Sequence, residues 1–224
     1  MNLDHLGLLR RDLDAFADVL DGDLGVAVEH CGDWTLRDLA GHLGQGNLWA
    51  AAAVTERRGD HRPPVPQDGL GAWFAASADT LVTALGADPA TEAWTFAPPR
   101  TVGFWRRRRL LETVVHLWDA RHARGLPNPI DPELAGDGVA EVIEVFVPRM
   151  VRRGLAAEPT AAVRLTASDL TTTWVVGPGD PVAHLEGTAE ELLLALWNRG
   201  PLPWARLTGD EAVAREVLRG PLVP

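Results

Sequence analysis

LLETVVHLWDAR, residues 110–121, is the stretch on which the fold turns. Glu112, His116 and Asp119 fall at i, i+4 and i+7, a spacing that stacks them on one stripe of an α-helix. Leu110, Leu111, Val114, Val115, Leu117 and Trp118 fill the positions around that stripe, so the pattern predicts a helix that is apolar on most sides and largely buried. A carboxylate and an imidazole on such a helix must be paired, hydrogen-bonded or bound to a metal. Leaving a buried charge uncompensated costs on the order of several kcal/mol.

Such a helix needs partners, and the flanking sequence supplies them. Residues 2–20 carry Leu3, Leu6, Leu9 (or Leu13) and Phe16 at helical spacing. Thr35-Leu36-Arg37-Asp38 reads as a variant capping box, with Thr35 as N-cap, and opens a helix to about Val54. A third helix is expected from Leu70 to Leu85, ended by Gly86. The fourth runs from about Gly103 to Arg124 and stops at Gly125, with Pro127 just beyond. Residues 56–68 and 87–103 are rich in Pro and polar side chains and read as loops. The first 125 or so residues thus form a four-helix bundle, and a fifth helix over Pro132 to Arg153 leads out of it.

After Glu158 the period changes. VRLTA (163–167) and TTTWVV (171–176) alternate like strands, and a third strand is expected around Val182 to Leu185. Thr188-Ala189-Glu190-Glu191 is a second capping box, opening the helix ELLLALW. Trp204 to Leu207 is expected as a strand and Gly209 to Leu218 as a last helix. The fold class is therefore α+β: a helical bundle over 1–155 and a small α+β domain over 156–224.

Composition narrows the classes of function. The chain has 224 residues, 46% hydrophobic and 23% charged, as in an ordinary globular protein. A net charge of −10 argues against a general nucleic-acid binder, which needs a basic face. Arg106 to Arg109 form the only dense basic run. Lys and Tyr are absent, Ile is nearly so, and Ala, Gly and Pro abound, which points to a high-GC genome of actinobacterial type. The single cysteine, Cys31, cannot form an internal disulfide. The charged N-terminus lacks the apolar core of a signal peptide, and no stretch approaches a membrane span, so the expected location is the cytoplasm, without a membrane partner.

His42, on the second helix, shares a stripe with Asp38, Gln45 and Trp49. Bundles build metal sites from side chains on facing helices. His42, Glu112 and His116 would supply three protein ligands and leave a position open, the arrangement of a catalytic zinc site. Ni, Co or Fe suit the same donors. The opposite reading, hydrogen-bonded core residues without a metal, stands beside it. Asp119 is either a hydrogen-bonding partner that orients a ligand, a general base, or an ion-pair partner of His122 or Arg124. Cys31 precedes the second helix and reads as a packing residue, His122 as a cap on the carbonyls of the fourth. The sequence contains no P-loop, no GxGxxG and no GxSxG, so nucleotide binding and hydrolase-elbow chemistry have no support.

Three blocks, in order, resemble one known family. DWTLRDLAGHLGQGNLWA (33–50) resembles the W-T-x-x-D-x-x-x-H block of the DinB-like maleylpyruvate isomerase family of mycothiol-dependent enzymes. LLETVVHLWDARHARGLPNPID (110–131) resembles its second block, E-x3-H-x2-D followed by A-x-G. DLTTTWVV, GTAEELLLALWNRGPLP and LTGDEAVAREVL, between residues 169 and 218, resemble its small α+β tail. The resemblance implies a DinB-like four-helix bundle with His42, Glu112 and His116 as ligands of a divalent metal, usually zinc, and Asp119 as an acidic residue beside it. It also implies an active-site Arg from the tail, for which Arg199 is the first candidate and Arg206 the second. The implied cofactor is mycothiol, a low-molecular-weight thiol of actinobacteria, and the implied reaction is isomerisation or S-transfer on a small electrophilic substrate by a monomer or homodimer. Competing readings are a hydrolase using metal-activated water on the same bundle, and a non-catalytic small-molecule-binding module.

Overall fold

The fold was read from a computed structural model that describes residues 3–220 and 222–224; the expected start of the first helix at residue 2 lies outside these. The chain divides into two compact units, Met1–Asn128 and Pro129–Pro224.

The first unit is the expected bundle. Its helices are α1 (His5–Val19), α2 (Leu36–Thr55), α3 (Leu70–Leu85) and α4 (Val102–Ala123). Leu9, Leu13 and Phe16 of α1, Leu39 and Leu43 of α2, Phe74 and Leu81 of α3, and Leu110 of α4 are buried together as its core. Phe16 and Phe74 meet at 4.9 Å between ring centroids. Local chemistry sets the boundaries. Thr35 caps α2 through a reciprocal box with Asp38, as the sequence predicts. At the far end of α4, Gly125 takes φ +67°, which a side chain disfavours, and its N–H and that of Leu126 return to the carbonyls of His122 and Arg121. The apolar face of α2 meets α3 closely because Gly44 lacks a side chain where the Trp73 ring lies.

The second unit starts earlier than the 155/156 border expected from the sequence. Helix α5 (Pro132–Glu141) packs on α7 (Ala189–Leu196), with Gly138 permitting the approach: a Cβ there would stand 2.7 Å from Leu193. Its buried face thus belongs with the C-terminal sheet. The long fifth helix is also less regular than expected. It widens to π geometry over Val142–Phe146 before α6 (Val147–Arg152), next to Pro148, whose ring nitrogen cannot donate to the carbonyl four residues back.

Strands β1 (Ala162–Ala167), β2 (Thr173–Val176), β3 (Pro181–Gly187) and β4 (Leu207–Gly209) form a sheet of order β2-β1-β3-β4. β1 is antiparallel to β2 and parallel to β3, and β3 is antiparallel to β4. The predicted strand Trp204 to Leu207 is instead a 3₁₀ turn, Trp204–Arg206, followed by β4. Pro203 just before it breaks the extended run. The last helix, α8 (Glu211–Val217), packs on β1 and β3. A helical bundle and a small α+β part together make the α+β fold expected. No helix among the described residues is long and apolar enough to cross a membrane.

Candidate metal centre

Helices α2 and α4 pack against each other in the first unit, and their facing side chains build the site. One donor atom from each of His42, Glu112 and His116 lies within 4.8 Å of the other two. His42 Nε2 is 3.1 Å from Glu112 Oε1. The His42 and His116 rings meet edge to face at 5.2 Å. His42 is the most open of the three, with 41% of its side chain exposed against 16% for Glu112 and 7% for His116.

Glu112 sits among cations. Arg109 Nη1 donates to Oε2 at 2.6 Å, and Arg108 Nη2 lies 3.3 Å from the same oxygen. Arg109 is itself anchored on α2, where Nη2 donates to the Leu43 carbonyl at 3.2 Å and to Asn47 Oδ1 at 2.9 Å. Burial by itself would raise the Glu112 carboxyl. The charges of Arg109 and Arg108, with the His42 hydrogen bond, outweigh it and hold the group well below the usual carboxylate range. Glu112 is therefore ionised, with Oε1 turned to His42.

His116 is fixed from behind. Its Nδ1 donates to Asp119 Oδ2 at 3.0 Å, which leaves the lone pair on Nε2. Burial lowers the His116 pKa, and the Asp119 carboxylate opposes that shift without cancelling it. The imidazole is neutral at physiological pH, as a metal ligand must be. Cys31 Sγ approaches the same Asp119 oxygen at 3.5 Å.

Two imidazoles and one ionised carboxylate, convergent on facing helices, fit a divalent cation of zinc type. Beside His42 opens a cleft of about 420 Å³, lined among others by Trp34, Arg37, Asp38, Gln45 and Val65. Trp34 walls it, with its ring centroid 5.0 Å from that of His42.

The structure thus brings His42, Glu112, His116 and Asp119 together. Arg199 lies in the second unit, where Nη1 donates to the Trp197 carbonyl at 2.6 Å and the guanidinium lies 5.8 Å from the Trp197 ring centroid. Arg206 pairs with Glu191 at 2.6 Å.

The other side chains singled out in the sequence find these partners. Within the Arg106–Arg109 run, Arg108 and Arg109 are buried on Glu112. Arg106 donates to the carbonyls of Leu85 and Ala87 at the end of α3. Contrary to expectation, His122 does not cap α4 but lies 3.0 Å from Glu29 Oε2; of the parts open to Asp119, the bond from His116 is the ligand-orienting one. Cys31 reaches Asp119 across 88 residues of sequence. No local pattern announces that contact. Arg108 and Arg109, by contrast, stand at i−4 and i−3 from Glu112, a helical pairing visible in the sequence.

Comparison with known proteins agrees with this architecture. Residues 6–121 match the family model described as the mycothiol maleylpyruvate isomerase N-terminal domain, and residues 133–216 match the MDMPI C-terminal domain. Two uncharacterized proteins from two strains of Mycobacterium tuberculosis are each 31% identical over 153 residues, covering 62% of this chain and 77% of theirs. Among solved structures, the mycothiol-dependent maleylpyruvate isomerase superposes with a TM-score of 0.65 at 17% identity, and a histidine-to-alanine mutant of it with 0.65 at 16%. Each comparison covers 88% of this chain and 89% of the other, and at such identity it speaks for the fold. With both halves matched in order, the chain belongs to the mycothiol maleylpyruvate isomerase family.

Proposed function

We propose that this protein is a divalent-metal-dependent enzyme that uses mycothiol to isomerise, or transfer the thiol to, a small electrophilic substrate. The observation that carries the reading is the convergence of His42, Glu112 and His116 within 4.8 Å on facing helices of a chain of this family. A bound cation of zinc type supplies Lewis acidity and lowers the pKa of a coordinated thiol toward neutrality.

Each residue then has a part. His42, Glu112 and His116 hold the cation. Arg109 and Arg108 keep Glu112 ionised and fix the oxygen it presents. Asp119 is a positioning residue: it accepts the His116 Nδ1 proton and so fixes the tautomer with Nε2 free. The cleft beside His42, walled by Trp34 and edged by Arg37 and Gln45, offers donors and acceptors to a polyhydroxylated thiol. Arg199 is the first candidate for holding an anionic substrate, and Arg206, which pairs with Glu191, the second.

The reading is tested by measuring metal content and turnover together. Wild type is expected to carry a tightly held divalent metal that His42→Ala loses, and to turn over a small activated cis-alkene only when mycothiol is present. Turnover undiminished without any thiol would replace this reading with metal-activated water and a hydrolase. A folded protein that takes up no metal even after zinc is returned would leave a binding module.

A further inference from the structure

The loop before α2 places three ligand-type side chains in a row, and only one of them touches the centre described above. Cys31 reaches Asp119, while Glu29 and His30 turn to the last turns of α4. Glu29 Oε2 is 3.0 Å from His122 Nε2. The His30 ring stacks on the His122 ring at 5.5 Å and packs against Trp118 at 5.7 Å. Trp118 in turn stacks on His122 at 4.8 Å with planes 7° apart, which fixes the orientation of that imidazole. One donor atom from each of Glu29, His30 and His122 lies within 4.8 Å of the other two.

We propose that Glu29, His30 and His122 form a second divalent-cation site, separate from the His42 centre and selective for zinc or a neighbouring first-row metal. Two imidazoles and a carboxylate are the donors such ions prefer. Tetrahedral ligation at about 2.05 Å separates donor atoms by about 3.4 Å. The Glu29–His122 pair stands at 3.0 Å and the His30 donor within 4.8 Å of both, so ligation asks for side-chain adjustments on the ångström scale. The ligands are open to solvent, with 70% of the Glu29 side chain and 46% of the His122 side chain exposed, so water completes the shell and binding is weaker than at the buried centre. His122 stands six residues beyond His116, about 9 Å along the helix, so one ion cannot serve both clusters.

Zinc binding to the full chain, stripped by chelator and titrated by equilibrium dialysis in a non-coordinating buffer, tests the site. Wild type is expected to bind two equivalents, one tight and one weaker. His30→Ala and His122→Ala should each lose the weaker equivalent, and His42→Ala the tight one. The two clusters are thereby judged separately, even if one fails to bind. If neither His30→Ala nor His122→Ala removes an equivalent from a chain whose circular dichroism is unchanged, the second site does not exist. Using two variants guards against the loss of Trp118 stacking in His122→Ala alone.

Discussion

Glu112 divides its two oxygens between two tasks, Oε2 toward Arg109 and Arg108 and Oε1 toward His42. Because Arg109 is buried (1% side-chain exposure) and Glu112 nearly so (16%), the pair is not a surface ion pair whose loss is cheap. Arg109→Met should cost about 3 kcal/mol, since it strips a buried carboxylate of its nearest cation while Asn47 and the Leu43 carbonyl also lose a donor. Adding Glu112→Gln to that variant should return part of the loss, because the uncompensated charge is then gone. Urea denaturation of wild type, single and double variants at pH 7 reads both effects. A cost below about 0.5 kcal/mol for Arg109→Met would mean the pair behaves as if solvated. At this scale the sequence was legible where helical period alone decides a side chain's direction, as for Glu112, His116 and Asp119. It was not legible for Cys31 and Asp119 or Glu29 and His122, whose contacts depend on how a loop folds back over α4.

Among the elements, α2 owes its start to a few atoms. Thr35 Oγ1 accepts the Asp38 N–H at 3.4 Å and donates to Asp38 Oδ2 at 2.6 Å, while the Thr35 N–H donates to the same oxygen at 2.9 Å. Removing the hydroxyl in Thr35→Ala should cost about 1 kcal/mol in chemical denaturation. The cost should also depend on pH. The hydrogen bonds from the Thr35 hydroxyl and then its amide lower the Asp38 pKa in the folded chain. Their contribution is therefore complete above the unfolded carboxyl pKa, about 3.9, and fades as pH falls toward the lower folded value. The difference between wild type and Thr35→Ala should shrink below about pH 4, and a difference that grew there would contradict the box. Both capping boxes were legible because side-chain capping is a local matter of three residues. The short strand β4 was not, since Trp204–Arg206 tightens after Pro203 and only β3, twenty residues upstream, gives residues 207–209 a pairing partner.

For the whole molecule, the acidic charge and the two matched family halves were readable from the sequence, whereas the border between units was not. That border depends on which apolar surface α5 covers, and nothing within residues 132–152 names α7 as its partner. The first unit, Met1–Asn128, contains a complete helical core and all four residues His42, Glu112, His116 and Asp119. A unit of that length with its own core is within the range that folds alone. Expressed by itself, 1–128 should therefore melt cooperatively, show a helical circular dichroism spectrum, and retain the tight zinc equivalent that His42→Ala removes. It should not turn over substrate if Arg199 contributes from the second unit. In the full chain, Arg199→Ala should then lower turnover and leave metal content unchanged, whereas Arg206→Ala should mainly disturb the Glu191 cap at the start of α7. A fragment 1–128 as active as the whole chain would remove Arg199 from the reaction and confine the chemistry to the bundle. A fragment that folds without binding zinc would mean that the His42, Glu112 and His116 donors need the second unit to reach ligating positions.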